Sequence, residues 1–216
     1  MTKSVVKLTI TAVLLLFSVS VKGWDTTNVF PLNDGAKWVY SGEWKNDRDE
    51  NPDVSTISIE MKVLRFVNGG GYIAAHMSGH PKDAASIEDG KITPSSYVFY
   101  VIGTDVYMVT NPSDIDAAMR GRYDPKPKDL FMELPLVPGP VSKPIAGENG
   151  WFIEASKINV PALRDPIEGF SLILKNDDKA ELISFAPCVG ITSYQYIDYI
   201  SGDNVILILS EYETGY

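Results

Sequence analysis

Apolar and polar residues alternate along much of this chain with the two-residue period that is typical of β-strands. Val54–Val67 is the clearest case, because every second residue in its middle is apolar: Ile57, Ile59, Met61 and Val63. One face of this strand is therefore predicted to pack on a core while the other faces water. Asn68–Gly71 supplies glycines for a hairpin turn, and Tyr72–Met77 is predicted to return as the partner strand.

Further segments of the same kind follow at intervals, separated by polar turns. They are a strand through Trp38 and Tyr40, the hairpins Ser95–Ile102 with Val106–Thr110 and Phe170–Lys175 with Ala180–Phe185, the strand Trp151–Ala155, and a closing pair, Ile191–Tyr199 and Val205–Leu209. Val205–Leu209 is so apolar that it is predicted to lie at the centre of a sheet, buried on both faces. One short helix is predicted from Asn111 to Arg120, with Ser113 as its cap.

The pattern gives nine or ten strands and one short helix. It predicts an all-β fold: a curved antiparallel sheet, a half-open barrel or a sandwich. Tyr123–Ile145 contains six prolines, so it is predicted to form an extended cover over the sheet rather than a regular element.

The first 23 residues have the composition of a signal peptide. Lys3 and Lys7 precede the apolar stretch Leu8–Val19, which is shorter than the roughly 20 residues of a spanning helix. Cleavage is expected before Trp24, which leaves residues 24–216 as a single antiparallel β-domain. The protein is then expected in the periplasm or outside the cell, with no transmembrane segment after cleavage. An uncleaved N-terminal anchor is the alternative.

The net charge of the chain limits the kinds of partner that it can bind. Removal of Lys3, Lys7 and Lys22 from the 19 basic residues leaves 16 against 28 acidic residues, a formal charge of −12. Such a chain repels phosphate backbones, so nucleic acid is not expected as a partner. The single cysteine, Cys188, excludes an internal disulfide, and it is predicted to be a small buried residue.

No catalytic, cofactor or metal site is predicted. The sequence contains no nucleophile elbow, zinc-protease motif, phosphate-binding loop or dinucleotide fingerprint. His76 and His80 are the only histidines; on one continuous strand they would lie about 13 Å apart, too far to share a metal. Both are predicted at the surface, near a strand end. The protein is therefore expected not to be an enzyme.

Aromatic residues offer a possible binding surface. Tyr97 with Phe99, and Tyr194 with Tyr196, are pairs at a spacing of two, so each pair lies on one face of its strand. They are interpreted either as ordinary core pairs or as walls of an apolar or carbohydrate-accepting groove under the Pro-rich cover. On the second interpretation the groove residues are Tyr97, Phe99, Leu130, Phe131, Leu134, Val137, Tyr194 and Tyr196.

Two motifs carry a family resemblance. Pro31-Leu32, Gly35, Trp38 and Tyr40 form P-L-x-x-G-x-x-W-x-Y, and Phe185–Gly190 reads F-A-P-C-V-G. This pair resembles the opening and closing motifs of a set of uncharacterised exported bacterial β-proteins, in which the second motif usually reads F-A-P-G-V-G. The resemblance implies a fold like that of periplasmic lipoprotein carriers, in which a curved sheet covers an apolar groove. It implies no reaction.

Three functions follow as hypotheses. The first is an exported, non-enzymatic β-domain that binds a lipid or another apolar small molecule in a groove of its sheet. The second is a structural or protein-interaction module that docks on a protein of the cell envelope through the same cover. The third is a secreted hydrolase without a recognisable motif.

Overall fold

The computed structural model of this chain describes residues 30–46, 53–87, 91–163 and 165–215. Within these residues, twelve antiparallel strands form one unclosed sheet, which confirms the all-β prediction. The strands are β1 (Lys37–Asn46), β2 (Asp53–Gly69), β3 (Tyr72–Ser78), β4 (Ser96–Ile102), β5 (Asp105–Val109), β6 (Leu130–Glu133), β7 (Gly139–Pro140), β8 (Phe152–Ile158), β9 (Ile167–Lys175), β10 (Lys179–Ala186), β11 (Gly190–Asp198) and β12 (Asp203–Glu213). One α-helix, α1 (Pro112–Met119), and two 3₁₀ helices, Pro81–Ser86 and Pro127–Asp129, accompany them.

The strand order is β6-β5-β4-β3-β2-β1-β12-β11-β10-β9-β8-β7. Two six-stranded meanders therefore meet in the middle, where the first strand pairs with the last. The two edges, β6 and β7, are consecutive in sequence. Twelve strands laid flat would hold these edges about 53 Å apart at a spacing of about 4.8 Å. The link from Glu133 to Gly139 spans at most about 22 Å. The sheet must therefore curl until its edges approach each other.

The concave face of the curled sheet is filled by its own side chains. Large residues from both meanders are almost completely buried there: Trp38, Tyr40, Met61, Tyr97, Phe99, Trp151, Leu172, Phe185 and Tyr194. On the opposite face of β3–β5, helix α1 covers a second, smaller core that includes Tyr100, Met119 and Tyr123. Core packing accordingly extends through the interior of the curl, and one patch of its outer surface is covered as well.

The prediction for Val205–Leu209 is confirmed in one respect and wrong in another. The strand is central, because β12 pairs with both β1 and β11. Burial on both faces is wrong, since Ile206 and Ile208 are 42% and 40% exposed on the outer face. An antiparallel sheet can leave one face in water, and no helix of the described residues covers this part of the outer face.

Two boundaries also differ from prediction. The helix cap is Asn111, whose side-chain oxygen accepts from the backbone N–H of Ser113 at 3.2 Å, and Pro112 takes the first helical position. Leu130–Glu133, predicted as part of an irregular cover, forms edge strand β6 because these four residues contain no proline.

The bend Ala186–Gly190, between β10 and β11, is held by aromatic residues from both ends of the chain. Three side chains donate hydrogen bonds to its backbone carbonyls or to the next one: Trp38 Nε1 to Val189 O at 2.6 Å, Tyr40 Oη to Ile191 O at 3.0 Å, and Tyr212 Oη to Cys188 O at 3.3 Å. The two motifs of the resemblance thus meet at this bend. Their hydrogen bonds join the first and last strands to the bend between β10 and β11.

Cys188 lies at the tip of that bend. The prediction that it is buried is wrong, since its side chain is exposed. Its backbone φ is +62°, in the left-handed region that glycine tolerates best. This conformation gives a physical reason for a glycine at the corresponding position of the motif that the chain resembles.

Candidate functional site

The two edges of the sheet face each other across a gap, which we call the seam. It lies between β6 on one side and the β7–β8 hairpin on the other. The loop 141–151 of that hairpin crosses the seam, since the N–H of Ala146 donates to Leu130 O at 2.7 Å and Lys143 Nζ lies 3.1 Å from Glu133 Oε1. The seam is thus bridged by side chains and one loop hydrogen bond, without a strand ladder.

A cleft of about 280 Å³ opens at the seam. We call it the seam cleft. Its walls come from β6, the link 134–138, the β7–β8 hairpin and β9: Met132, Glu133, Leu134, Pro135, Leu136, Val137, Pro140, Val141, Ser142, Ile145, Ile153 and Leu172. Most of these side chains are apolar, and six of them are at least nine-tenths buried: Met132, Leu134, Leu136, Ile145, Ile153 and Leu172. Val137 stands at the rim, 63% exposed.

A second depression, the seam hollow, measures about 330 Å³. Its lining is Asp105, Tyr107, Pro125, Pro127, Leu130, Lys143 and Pro144. The Tyr107 hydroxyl donates to Asp105 Oδ2 at 3.0 Å, and Lys143 Nζ lies 3.7 Å from the same oxygen. Burial and then this hydrogen bond to Asp105 raise the pKa of Tyr107. The hydrogen bond to Glu133 raises the pKa of Lys143, so the amine stays charged.

The eight residues of the predicted groove do not form one surface. Leu134 and Val137 line the seam cleft, and Leu130 lines the seam hollow. Tyr97, Phe99, Phe131 and Tyr194 are in the filled core, with ring centroids of Phe99 and Phe131 5.3 Å apart. Tyr196 is half-buried; burial and then Asp198 raise its pKa to about 12.

Several cleft residues were not singled out from the sequence. Met132 and Leu136 share a two-residue period with Leu134, which was singled out, so this signal was available in the Pro-rich segment. Ile153 and Leu172 gave no such signal. They reach the cleft together because they are directly opposite each other in the β8–β9 pair.

His80 is fully buried, so its predicted position at the surface is wrong. The chain turns inward at Gly79, where φ is +72° and an added Cβ would lie 2.1 Å from the carbonyl oxygen of Glu60. The His80 ring then stands edge-on to Tyr97 and Phe131, with centroids 5.6 Å and 6.0 Å away. Its Nδ1 accepts from the backbone N–H of Lys82 at 3.0 Å, which assigns the proton of the neutral ring to Nε2. Burial, followed by the charge of Lys82, lowers the pKa of His80.

The 3₁₀ helix that follows His80 is tied to the inner face by an ion pair. Lys82 Nζ lies 2.6 Å from Glu181 Oε1 and 5.6 Å from the ring centroid of Trp151. Glu181 is only 5% exposed. Burial, followed by the charge of Glu181, raises the pKa of Tyr194. A substrate needs access to reacting groups, and a cluster this deeply enclosed serves to anchor the helix.

Two kinds of feature are absent from the described part of the chain. There, no group of three or more His, Cys, Asp or Glu side chains is placed to hold a metal ion. None of the helices in the same residues is long and apolar enough to cross a membrane. The predicted signal peptide, residues 1–23, lies outside the described residues.

Comparison with known proteins adds two likenesses of fold. No protein-family model and no curated protein matches the chain. A crystal structure of a candidate exported protein with a YmcC-like fold from Bacteroides fragilis is 10% identical, with a TM-score of 0.45 over 86% of this chain and 99% of that one. A candidate lipoprotein from Parabacteroides distasonis is 11% identical, with a TM-score of 0.48 over 88% of this chain and 100% of that one. Likenesses at this level carry no functional argument for this chain.

Proposed function

We propose that this chain is an exported, non-enzymatic β-domain that binds a small apolar ligand in the seam cleft. The observation that supports this most directly is a cleft of about 280 Å³ in which ten of the twelve lining residues are apolar, in a molecule whose concave face is filled by its own side chains. Export is part of the proposal because residues 1–23 have the pattern of a signal peptide.

The size of the cleft limits the ligand. At about 30 Å³ for each water-sized group, 280 Å³ holds roughly nine such groups. That is just below the range of about 300–1,000 Å³ for small-molecule pockets. One alkyl chain of about nine or ten carbons fits this space, whereas a lipid with two long chains does not. Apolar contact with Leu134, Leu136 and Ile153 would supply the binding energy.

Ligand binding in the seam cleft can be tested by a substitution at Val137, which lies outside the buried core. An aspartate there would put a charge at the rim of the cleft, and because Val137 is 63% exposed the fold should not change. We expect Val137→Asp to weaken binding of a decanoyl probe at least about fivefold, since a buried alkyl chain tolerates a nearby charge poorly. Binding can be followed by saturation-transfer NMR.

The matched control is Val54→Asp, because Val54 is 57% exposed on β2 and lies outside the cleft lining. This variant should bind the probe as the wild type does, and both variants should melt at the wild-type temperature. Equal binding by Val137→Asp and the wild type would refute the site. Native mass spectrometry of protein isolated from its host would then show whether any apolar molecule accompanies it.

The second candidate is a protein-interaction module, which one feature of the outer face supports. Phe152 is 42% exposed on β8, and half-buried Ile173 and Leu182 continue the same cross-strand row on β9 and β10. Single exposed apolar residues are ordinary, but a contiguous row favours a contact surface. Loss of a captured envelope protein on Phe152→Asp, with unchanged binding of the decanoyl probe, would favour this function.

A further inference from the structure

The seam hollow has the size and the walls of a small-molecule site. Its volume of about 330 Å³ lies within the usual range of about 300–1,000 Å³ for such pockets. Five of its seven lining residues are apolar or aromatic: Tyr107, Pro125, Pro127, Leu130 and Pro144. Because a proline ring fixes its own φ, three of these walls lose little freedom when a ligand binds. The hollow is therefore suited to hold an apolar body in a fixed place.

The hydrogen-bond donors among the lining side chains are already engaged by carboxylates. The Tyr107 hydroxyl donates to Asp105 Oδ2 at 3.0 Å. Lys143 Nζ lies 3.1 Å from Glu133 Oε1 and 3.7 Å from Asp105 Oδ2. The three prolines have no backbone N–H to add. An anionic ligand, which needs donors, would have to compete with Asp105 and Glu133 for them.

Asp105, by contrast, still has room for a donor from a ligand. An ionised carboxylate has about four positions at which it can accept a hydrogen bond. The Tyr107 hydroxyl occupies one of them, and the Thr104 hydroxyl lies 3.5 Å from the other oxygen. Lys143 is nearer to Glu133 than to Asp105. The Asp105 side chain is also 23% exposed, so a ligand in the hollow can reach it.

The formal charge at the hollow favours a cation. The carboxylates of Asp105 and Glu133 face the single ammonium of Lys143, which gives a local charge of −1. Four further charged residues, next to the lining prolines in sequence, cancel one another: Asp124, Lys126, Lys128 and Asp129. The net charge of −9 for the whole chain adds to the attraction, since it raises the concentration of cations near the surface.

We infer that the seam hollow binds an organic amine: an ammonium group carried on a small apolar body. The ammonium pairs with Asp105 in a charge-assisted hydrogen bond, and the body packs against Leu130 and the three prolines. At about 30 Å³ for each water-sized group, the hollow holds roughly eleven such groups. An arylalkylamine such as 2-phenylethylamine fits this space. The site is separate from the seam cleft and does not require the cleft to bind anything.

The experiment compares 2-phenylethylamine with 2-phenylethanol, which has nearly the same shape and no charge. Both are titrated into the ¹⁵N-labelled protein and followed by two-dimensional NMR. We expect the amine to bind at least about threefold more tightly, which is the effect of one ion pair near the surface. Both probes should shift the amide signals of Tyr107, Leu130 and Lys143 in the hollow, rather than those of Ile153 and Leu172 in the cleft.

Two variants change the charge of the hollow in opposite directions. Asp105→Asn keeps an acceptor for the Tyr107 hydroxyl, and it should lower the affinity for the amine about threefold without changing that for the alcohol. Lys143→Gln removes the competing ammonium and should raise the affinity for the amine about threefold. Partial unfolding cannot produce both shifts. The control is Asp177→Asn, an exposed carboxylate outside the lining, which should leave both affinities at the wild-type value.

Each outcome decides one point. If neither probe binds, the site is refuted. Equal affinities for the amine and the alcohol, or an amine affinity that Asp105→Asn leaves unchanged, would refute the pairing with a cation. Signals that shift at Ile153 and Leu172 instead would place the ligand in the cleft and overturn the inference. A decanoyl probe that fails to bind would count against the proposed function of the cleft and leave the hollow unaffected.

Discussion

Cys188 occupies a backbone conformation that a glycine would adopt more easily, so Cys188→Gly should stabilise the protein. At a φ of +62°, a residue with a Cβ pays about 1–2 kcal/mol for its clash with the following carbonyl. Glycine removes that cost, but it also gives the unfolded chain more conformational entropy, which stabilises the unfolded state by about 0.4–1 kcal/mol. The central values, about 1.5 and about 0.7 kcal/mol, leave a net gain in the free energy of unfolding of about 0.8 kcal/mol.

Only the backbone conformation of residue 188 enters this estimate, because its side chain adds no other contribution. Its side chain is exposed, so no packing is lost when it is removed. The hydrogen bond from the Tyr212 hydroxyl goes to the backbone carbonyl of residue 188, which both residue types retain. For a domain of this size, the gain corresponds to a rise in melting temperature of about 1–4 °C.

Thermal and urea unfolding of Cys188→Gly and Cys188→Ala under reducing conditions test the reasoning. Alanine removes the thiol and keeps the Cβ, so it should change the free energy of unfolding by less than about 0.5 kcal/mol. If alanine stabilises as much as glycine, the thiol rather than the backbone is responsible. If glycine does not stabilise at all, the left-handed conformation costs no more than the added entropy of the unfolded chain, and the estimate is refuted.

Two further predictions concern the buried cluster. Because burial lowers the pKa of His80, the folded protein keeps the ring neutral, while the unfolded chain binds a proton below a pH of about 6.5. The free energy of unfolding of the wild type should therefore fall as the pH drops below that value. Relative to His80→Asn, the loss should reach up to about 1.4 kcal/mol per pH unit. Asparagine is chosen because it still offers an acceptor to the Lys82 N–H. If urea unfolding gave the same difference in free energy of unfolding between the two proteins from pH 7 to pH 5, the predicted pH dependence would be contradicted. Lys82→Met should cost about 1–3 kcal/mol, discounted for the 26% exposure of the Lys82 side chain, because it leaves the Glu181 carboxylate buried without its cation. Glu181→Gln should lower the free energy of unfolding by less than Lys82→Met does, as measured by urea unfolding. The reverse order would disprove an anchoring role for the ion pair.

Local patterns were reliable where one strand could be judged by itself. The alternation in β2 predicted correctly that Ile57, Ile59, Met61 and Val63 face the core, because the side-chain period follows from the backbone pleat. The turn residues around Gly70 and Gly103 predicted the positions of two hairpin turns, between β2 and β3 and between β4 and β5, where the structure has them. Each of these signals needs only a few neighbouring residues.

Failures occurred where distant residues decide the outcome. Burial of Val205–Leu209 on both faces was wrong because no element in the described part of the chain covers the outer face there, which the strand itself cannot show. His80 was placed at the surface because the inward turn at Gly79 depends on the backbone of Glu60, on another strand. Cys188 was expected in the core because no basic residue lies near it in sequence to activate its thiol, whereas the bend turns its side chain to solvent.

The candidate site shows the same division. Leu134 and Val137 were named from the sequence and do line the seam cleft, whereas Phe99 and Tyr194, named with them, fill the core. Whether an inward-facing aromatic residue walls a groove or fills it depends on how tightly the sheet curls, a property summed over twelve strands.

The sequence by itself therefore determined the strands, the faces on which several of them pack and the class of fold, since these follow from a two-residue period and from turn chemistry. Only the tertiary structure decided that the first and last strands pair at the centre and that the edges meet at a seam. It also decided that the seam cleft lies there. The reason is that pairing and curvature arise from contacts between residues far apart in the chain, such as Trp38 with Val189, which no local pattern records.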